Sequence, residues 1–145
     1  MTPDVNVLIA AFRQDHPHHA VARQWLEEAL LSCQSGAVFS VLPMVAAGFL
    51  RLTTHAKVFV QPTPPEHALA FIHALLSIPG VVMLPLSGEW AHFAALCSEH
   101  HLTGNAIPDA WIAASVHHHR LHLTTFDKGF RRFLKPGRLT ILHTG

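Results

Sequence analysis

Three aspartates lie where the sequence predicts that a β-strand ends and a helix begins: Asp4, Asp109 and Asp127. Their contexts are P-D-V-N-V-L-I-A-A-F, G-N-A-I-P-D-A-W-I-A-A-S and L-T-T-F-D-K-G-F. The chain has only 9 acidic residues, so three at such positions are a large share of them. In open α/β sheets, sites form beyond the carboxyl ends of the strands. Carboxylates gathered there suggest a site for a hard cation, and with it metal-dependent chemistry on a phosphate.

Each aspartate, taken alone, also has an ordinary explanation as a helix cap or turn residue. The functional interpretation depends on all three lying at the same edge of one sheet. Carboxylates brought that close disfavour each other's ionisation unless a cation or protons offset the repulsion. Mg²⁺ or Mn²⁺ suits such oxygen ligands, and it can polarise a phosphoryl oxygen and activate a water molecule for attack.

Two further residues could support this site. Asn6 lies two residues after Asp4, and its amide could orient a carboxylate or a metal-bound water. Thr125 precedes Asp127 by two residues, and its hydroxyl could hold a carboxylate or a phosphate. A helix-start asparagine and a strand threonine are equally ordinary structural residues.

The elements that must position these residues alternate between strands and helices. The pattern predicts strands over residues 1–5, 37–39, 81–86, 121–125 and 139–142. Five helices are predicted over 7–12, 19–33, 66–76, 109–118 and 128–133. Two more are predicted to begin at a serine cap: one capped by Ser40 that carries 46–53, and one capped by Ser87 that runs to 101. The apolar run 81–86 is expected to be a strand buried on both faces, and Trp90 to face inward.

This alternation predicts an α/β fold: one α/β/α domain over residues 1–145 with a parallel central sheet of about four to five strands. The chain is 50% apolar and 13% charged, against about 25% charged in an average domain. We therefore expect a partner to cover some apolar surface.

No apolar run reaches the roughly 18 residues of a membrane span, and no signal peptide is evident. Cys33 and Cys97 lack metal or redox spacing and indicate a reducing cytoplasm.

The motifs, in their order along the chain, resemble the PIN-domain family, and more narrowly the VapC-type toxins of prokaryotic type II toxin–antitoxin pairs. The resemblance rests on D-V-N-V-L-I-A-A-F, G-F-L-R-L-T-T-H, P-D-A-W-I-A-A-S and T-T-F-D-K-G-F. It implies an endoribonuclease dependent on Mg²⁺ or Mn²⁺ that hydrolyses RNA through a metal-activated water. It implies acidic metal ligands at Asp4, Asp109 and Asp127 and a supporting hydroxyl at Thr125. A cognate antitoxin, a homodimer and a cytoplasmic location are also implied.

One departure from the family pattern concerns the second acidic position. The resemblance places a glutamate on the helix before G-F-L-R, and here that position is Ala46 or a close neighbour. A Mg²⁺ site needs only one or two protein carboxylates, so three can suffice. Glu89 or Glu99 could approach the site if the fold brings them there. The alternative is a catalytically weak or inactive PIN-like module that binds RNA or a partner.

Basic residues cluster after Asp127, at Lys128, Arg131 and Arg132, and Arg51 lies in the G-F-L-R motif. These side chains could position RNA phosphates at the acids, or form a solvated surface.

The 14 histidines allow a third interpretation, a transition-metal protein. Most of them occur as neighbours in sequence, which point in different directions on a helix. We therefore expect most histidines to face solvent rather than to share a metal ion.

Overall fold

The computed structural model describes residues 1–143 and contains five short strands and six α-helices, with two helices after each of the first three strands. The strands are β1 (Thr2–Pro3), β2 (Phe39–Val41), β3 (Val81–Met83), β4 (Leu123–Thr125) and β5 (Leu139–Ile141). The helices are α1 (Val5–Phe12), α2 (His19–Ser32), α3 (Pro43–Thr53), α4 (Pro65–Leu76), α5 (Trp90–Glu99) and α6 (Ala106–His118). A short 3-10 turn, Cys33–Ser35, follows α2. Two more, Lys128–Arg132 and Pro136–Arg138, lie between β4 and β5.

The five strands form two adjoining parallel sheets, β1-β4-β5 and β2-β3. Strand pairs β1–β4, β4–β5 and β2–β3 are all parallel. The two halves meet where the Ser40 amide donates to the Met1 carbonyl at 2.8 Å and the Thr2 hydroxyl donates to the Ser40 carbonyl at 2.6 Å. The predicted α/β/α sandwich with a parallel sheet of four to five strands is confirmed. The prediction of one domain over 1–145 extends to two residues outside the described range and stays a prediction.

The core lies between the sheet and the helices and accounts for the way the site is held. Helix α1 is the most buried helix, with Val7, Leu8 and Ala10 fully shielded from solvent. It packs on α2, α3 and β4, so Asp4 and Asn6 at its start are fixed relative to the end of β4. Helices α5 and α6 pack closely on each other and carry Asp109.

Strand β3 differs from its prediction, because it ends at Met83 and is not buried on both faces. Val82 and Met83 are 42% and 38% exposed. The physical reason is that β3 pairs only with β2 and so forms an edge of the sheet. The apolar run 81–86 therefore predicted a central strand, whereas the structure places an edge strand there.

Several predicted helix starts were wrong by a few residues. Ser40 lies inside β2, and α3 begins at Pro43, where proline is favoured in a first turn. Helix α5 begins at Trp90 with Glu89 rather than Ser87 in the cap position, and Trp90 is 67% exposed rather than inward. No helix within residues 1–143 is both long and apolar enough to cross a membrane.

Candidate active site

The three predicted aspartates line one cleft of about 1050 Å³. Asp4 and Asp127 reach it from the ends of β1 and β4, as predicted. Asp109 does not follow a strand. It lies in the first turn of α6, which begins at Ala106 rather than after Pro108. Proline lacks an amide hydrogen, but the first four amides of a helix need no partner within the helix, so Pro108 is accommodated in that turn.

Asp4 is the buried member of the cluster, with 6% of its surface exposed. Its Oδ1 accepts a 2.7 Å hydrogen bond from the Val5 amide at the start of α1. Its Oδ2 accepts a 2.6 Å hydrogen bond from the Thr125 hydroxyl at the end of β4. Burial raises the pKa of Asp4, the two hydrogen bonds oppose that rise, and the negative charge of Asp127 adds to it. The carboxylate is thus held in one orientation at some electrostatic cost.

Thr125 and Asn6 connect the two strand ends. The Asn6 amide nitrogen donates to the Thr125 hydroxyl at 3.3 Å, and the Asn6 carbonyl oxygen accepts from the Phe126 amide at the same distance. The Thr125 hydroxyl also accepts from the Asp127 amide at 3.0 Å. Both residues therefore fix the backbone that presents Asp4 and Asp127, but only Thr125 contacts a carboxylate of the cluster directly.

Asp127 caps the 3-10 turn Lys128–Arg132, where its Oδ1 accepts a 2.7 Å hydrogen bond from the Gly129 amide. Asp127 is exposed to solvent, whereas Asp4 is buried. One of its oxygens thus has a backbone partner, and the side chain lines the open part of the cleft.

Asp109 has the most perturbed pKa of the cluster. Burial, followed by the charges of Asp4 and Asp127, raises the pKa of this carboxyl to about 6, while the Arg132 charge lowers it. Two neighbouring carboxylates that shift a third in this way lie close enough to repel it. A divalent cation would relieve this repulsion, so the donor set fits such an ion.

The spacing of the cluster indicates how an ion would be held. Within residues 1–143, the carboxylate oxygens of the three aspartates do not all lie within 4.8 Å of one another. Mg²⁺ usually keeps several waters and takes one or two carboxylates directly. The open arrangement fits that mode better than a closed set of three direct protein ligands.

The second acidic position is occupied by small apolar residues. Ala46 is 7% exposed and belongs to the core, whereas Ala47 and Gly48 line the cleft. Neither of the proposed substitutes reaches it. Glu89 contacts His119 at the far ends of α5 and α6, and Glu99 lines a separate, smaller pocket. No fourth carboxylate therefore lines the cleft in the part of the chain that the structure describes.

The basic residues are distributed unevenly around the cleft. Arg51 lines it directly, and Arg132 is close enough to Asp109 to lower its pKa. Arg131 and Lys128 are exposed on the same 3-10 turn and do not line it. Arg51 is thus the member of the predicted basic set that lines the cleft, and Arg132 is the member whose charge acts on Asp109.

Aromatic side chains form a wall of the cleft that the sequence interpretation did not identify. Phe93 and Trp111 both line it and pack edge to face, with ring centroids 4.7 Å apart. Phe59 lines the cleft as well, stacked under Arg13. The position of Trp111 two residues after Asp109, in P-D-A-W, was the available signal.

The histidines follow the prediction only in part. Most are exposed, as expected, including His55, His67 and His73. At one place, however, two neighbouring histidines lie near the same carboxylate. His118, His119 and Glu89 have ligand atoms that all lie within 4.8 Å of one another, because His119 is the C-cap of α6 rather than a residue within its regular turns.

Comparisons with known proteins agree with this geometry. The chain is 38% identical over 133 residues to "Ribonuclease VapC25" of Mycobacterium tuberculosis (strain ATCC 25618 / H37Rv), covering 90% of each chain. It is 36% identical over 131 residues to "Ribonuclease VapC43" of the same strain, covering 90% of this chain and 87% of that protein.

Two solved structures share the fold at low sequence identity. One is the VapBC2 complex of Rickettsia felis bound to a DNA fragment from its promoter, with a TM-score of 0.67, 17% identity and coverage of 97% of this chain and 96% of that chain. The other is a toxin–antitoxin complex from Klebsiella pneumoniae, with a TM-score of 0.60, 21% identity and coverage of 96% and 94%. Because the PIN domain model also matches residues 1–135, nearly the whole chain, this protein belongs to the PIN domain family.

Proposed function

We propose that this chain is a divalent-metal-dependent endoribonuclease and the toxin of a type II toxin–antitoxin pair. The observation that carries the proposal is the set of three carboxylates lining one cleft, one of them with its pKa raised to about 6 by burial and by the other two. Strongly perturbed carboxylates in a cleft are typical of catalytic sites. The relatives named as ribonucleases, which match 90% of the chain, support the same activity.

Asp4, Asp109 and Asp127 are the residues that we assign to the metal, and we propose Mg²⁺ or Mn²⁺ because all the donors are carboxylate oxygens. When bound, such an ion polarises the scissile phosphate and lowers the pKa of a water molecule. Asp4 acts from a fixed position, since Thr125 and the Val5 amide hold its two oxygens. Asp109 and Asp127 are less constrained and would complete the set of carboxylate ligands.

The RNA backbone is positioned by the basic residues around the cleft. Arg51 lines the cleft, and Arg132 lies near Asp109, so both can meet a phosphate next to the acids. Lys128 and Arg131 extend this positive surface outward along the bound RNA strand. The apolar wall of Phe93 and Trp111 offers faces on which unpaired bases can stack.

Two protein partners complete the proposal. The cleft is apolar over much of its wall and open to solvent, so a segment of a cognate antitoxin can occupy it and block the acids. The named toxin–antitoxin complexes with the same fold support such a partner. We also propose a homodimer, supported by exposed apolar side chains such as Leu31 and Val38, at 62% and 53%. Light scattering at several concentrations tests this last point.

A second candidate function is RNA or partner binding without cleavage. Its specific support is the absence of an acid on the part of α3 that lines the cleft, where Ala47 and Gly48 stand. This alternative predicts that RNA binds with the same affinity with and without metal and stays intact.

The test compares cleavage of a mixed RNA substrate in Mg²⁺, in Mn²⁺ and in EDTA by the wild type, Asp4→Asn and Asp109→Asn. Asp15→Asn is the matched control, because Asp15 is an exposed aspartate that pairs with Arg13 outside the metal cluster. We expect cleavage by the wild type and the control only with metal, and loss of at least about a hundredfold in the two cleft variants, the scale on which a catalytic acid–base group contributes. Equal cleavage by all four proteins, or cleavage that persists in EDTA, contradicts the mechanism.

A further inference from the structure

A second group of metal-binding side chains lies outside the aspartate cleft, at the junction of α5 and α6. It consists of Glu89, His118 and His119, and we call it the α5–α6 cluster. Their ligand atoms all lie within 4.8 Å of one another. Glu89 is 3% exposed, the His119 side chain is 21% exposed, and His118 is exposed. The cluster thus has a buried carboxylate at its base and an imidazole at its mouth.

The fold brings these residues together from two distant segments. Glu89 is the cap residue before α5, His118 is the last residue of α6, and His119 follows as its C-cap. Because α5 and α6 pack closely, the start of one lies against the end of the other. Glu89 and His119 are 30 positions apart in sequence and form a direct hydrogen bond.

Gly88 leaves room for the His118 ring at this junction. Its φ of +87° lies in the left-handed region, and a Cβ placed there would come within 2.9 Å of His118 Nε2. Any other residue would therefore push the imidazole away from the turn that carries Glu89. The exposed His118 ring therefore lies directly against the turn that carries Glu89.

The charge state of Glu89 suits a cation. Burial disfavours its ionised form, but hydrogen bonds from His119 and from the backbone amides of Glu89 and Ser87 outweigh burial and lower its pKa. The Ser87 amide donates to Oε1 at 2.7 Å. A buried, oriented carboxylate beside two imidazoles is therefore available near neutral pH.

We propose that Glu89, His118 and His119 bind a Zn²⁺ ion. Two imidazoles and one carboxylate are a common zinc ligand set, with a fourth position left for water or another side chain. His92 packs beside His118, with ring centroids 5.2 Å apart. Binding would release to solvent the proton that now lies between His119 Nε2 and Glu89 Oε1. The two atoms would then lie roughly 3.3 Å apart, the span set by zinc bond lengths and a tetrahedral angle.

This zinc site is separate from the aspartate cleft in position and in chemistry. Asp109 and His118 lie at opposite ends of α6, nine residues apart, or roughly 13 Å along the helix axis. The cleft offers only carboxylates, which suit Mg²⁺ and Mn²⁺, whereas imidazoles favour Zn²⁺. Zinc at the α5–α6 cluster would tie the two helices together and is independent of cleavage.

The experiment is a Zn²⁺ titration of the full-length protein, stripped with EDTA and exchanged into buffer containing excess Mg²⁺, followed by isothermal calorimetry and thermal unfolding. The variants are His118→Ala and Glu89→Gln, and His67→Ala is the matched control because His67 is an exposed histidine on α4. Asp109→Asn is titrated in parallel to isolate the cleft. Because His118 is exposed, its removal leaves the metal-free fold intact, as unchanged circular dichroism will verify.

We expect one equivalent of Zn²⁺ to bind and to raise the melting temperature of the wild type, His67→Ala and Asp109→Asn. His118→Ala and Glu89→Gln should weaken binding on the order of a hundredfold and lose the thermal shift, since removing a ligand costs at least as much as removing a residue that orients one. Co²⁺ in place of Zn²⁺ should give the visible absorption of a four-coordinate site in the wild type, His67→Ala and Asp109→Asn, and not in His118→Ala or Glu89→Gln. Zinc binding that survives in His118→Ala, disappears in Asp109→Asn, or is not saturable overturns the proposal and leaves Glu89–His119 as a structural contact.

Discussion

The Thr125 hydroxyl donates a 2.6 Å hydrogen bond to Asp4 Oδ2, although 121 residues separate the two in sequence. The contact joins the end of β4 to the start of α1 across the parallel pair β1–β4. Both residues are buried, so solvent does not readily replace the bond. Thr125 therefore couples the stability of the sheet at the carboxyl ends of β1 and β4 to the orientation of Asp4, the most buried aspartate of the cleft.

Thr125→Val removes this hydroxyl while keeping the shape of the side chain. We expect a loss of about 2 kcal/mol in the free energy of unfolding, because a buried hydrogen bond to a charged group contributes about 1.5–3 kcal/mol. Ribonuclease activity should fall as well, since Asp4 is no longer oriented. Thr125→Ser is the control, because it keeps the hydroxyl and loses only a methyl group. Chemical denaturation and cleavage rates measure both effects, and equal results for the two variants would show that the hydroxyl is dispensable.

The raised pKa of Asp109, about 6, makes the stability of the metal-free protein depend on pH. A carboxyl whose pKa is higher in the folded state binds more protons when folded, so ionising it destabilises the fold. That cost is fully present above about pH 6.5 and declines as pH falls from 6 toward 4. Asp109→Asn removes the cost, so we expect the variant to be about 1 kcal/mol more stable than the wild type at pH 7, a figure reduced for the partial exposure of this group.

The measurement is denaturant unfolding in EDTA of the wild type and Asp109→Asn between pH 4.5 and 7.5. The difference between the two proteins is the informative quantity, because histidines titrate in the same range. Burial lowers the pKa of His16 and His117, for example, and these contributions cancel in the difference. A difference that does not grow with pH would contradict the raised pKa. Mg²⁺ should stabilise the wild type more than the variant at pH 7 if Asp109 is a metal ligand.

The sequence identified the acids of the cleft better than the elements that carry them. Asp4 and Asp127 follow short strands and cap what comes next, so local pattern was sufficient to place them. Asp109 was predicted to open a helix at a strand end, yet α6 begins three residues earlier, at Ala106, and Pro108 fits its first turn. What brings Asp109 to the others is the packing of α6, which no local pattern encodes.

Edge and helix-junction features were the least predictable. The run Val81–Leu86 has the composition of a buried strand, but only pairing decides whether a strand is central, and β3 pairs on one side only. His118 and His119 were expected to diverge, as neighbours in a regular helix do. Their convergence on Glu89 depends on the helix ending between them and on the fold of a turn 30 residues away. Both are tertiary effects.

Arg51 and Arg132 are expected to contribute more to RNA binding than Arg131. The first two lie at or near the acids, while Arg131 is exposed beyond the cleft. Arg51→Ala and Arg132→Ala should each weaken binding and lower the slope of log affinity against log salt by roughly 0.7, the value for one phosphate contact on a single strand. Fluorescence anisotropy in EDTA, where RNA stays intact, gives both quantities. Arg131→Ala is the matched control, and an equal loss there would indicate diffuse attraction rather than contacts at the cleft.

An acid introduced on α3 tests whether the missing second carboxylate limits the site. Ala47 is exposed and lines the cleft, whereas Ala46, one residue and about 100° away around the helix, is 7% exposed in the core. We expect Ala47→Glu to bind Mn²⁺ on the order of tenfold more tightly and to cleave RNA faster, since a further carboxylate adds a ligand for a hard cation. Ala47→Gln is the neutral control and should show neither effect.

Ala46→Glu should instead lower the free energy of unfolding by about 3 kcal/mol or more, because it buries an unpaired charge. Calorimetry with Mn²⁺, cleavage assays and denaturation separate the two positions. If Ala47→Glu binds metal no better than Ala47→Gln, the gap on α3 is not what limits metal binding at the three aspartates.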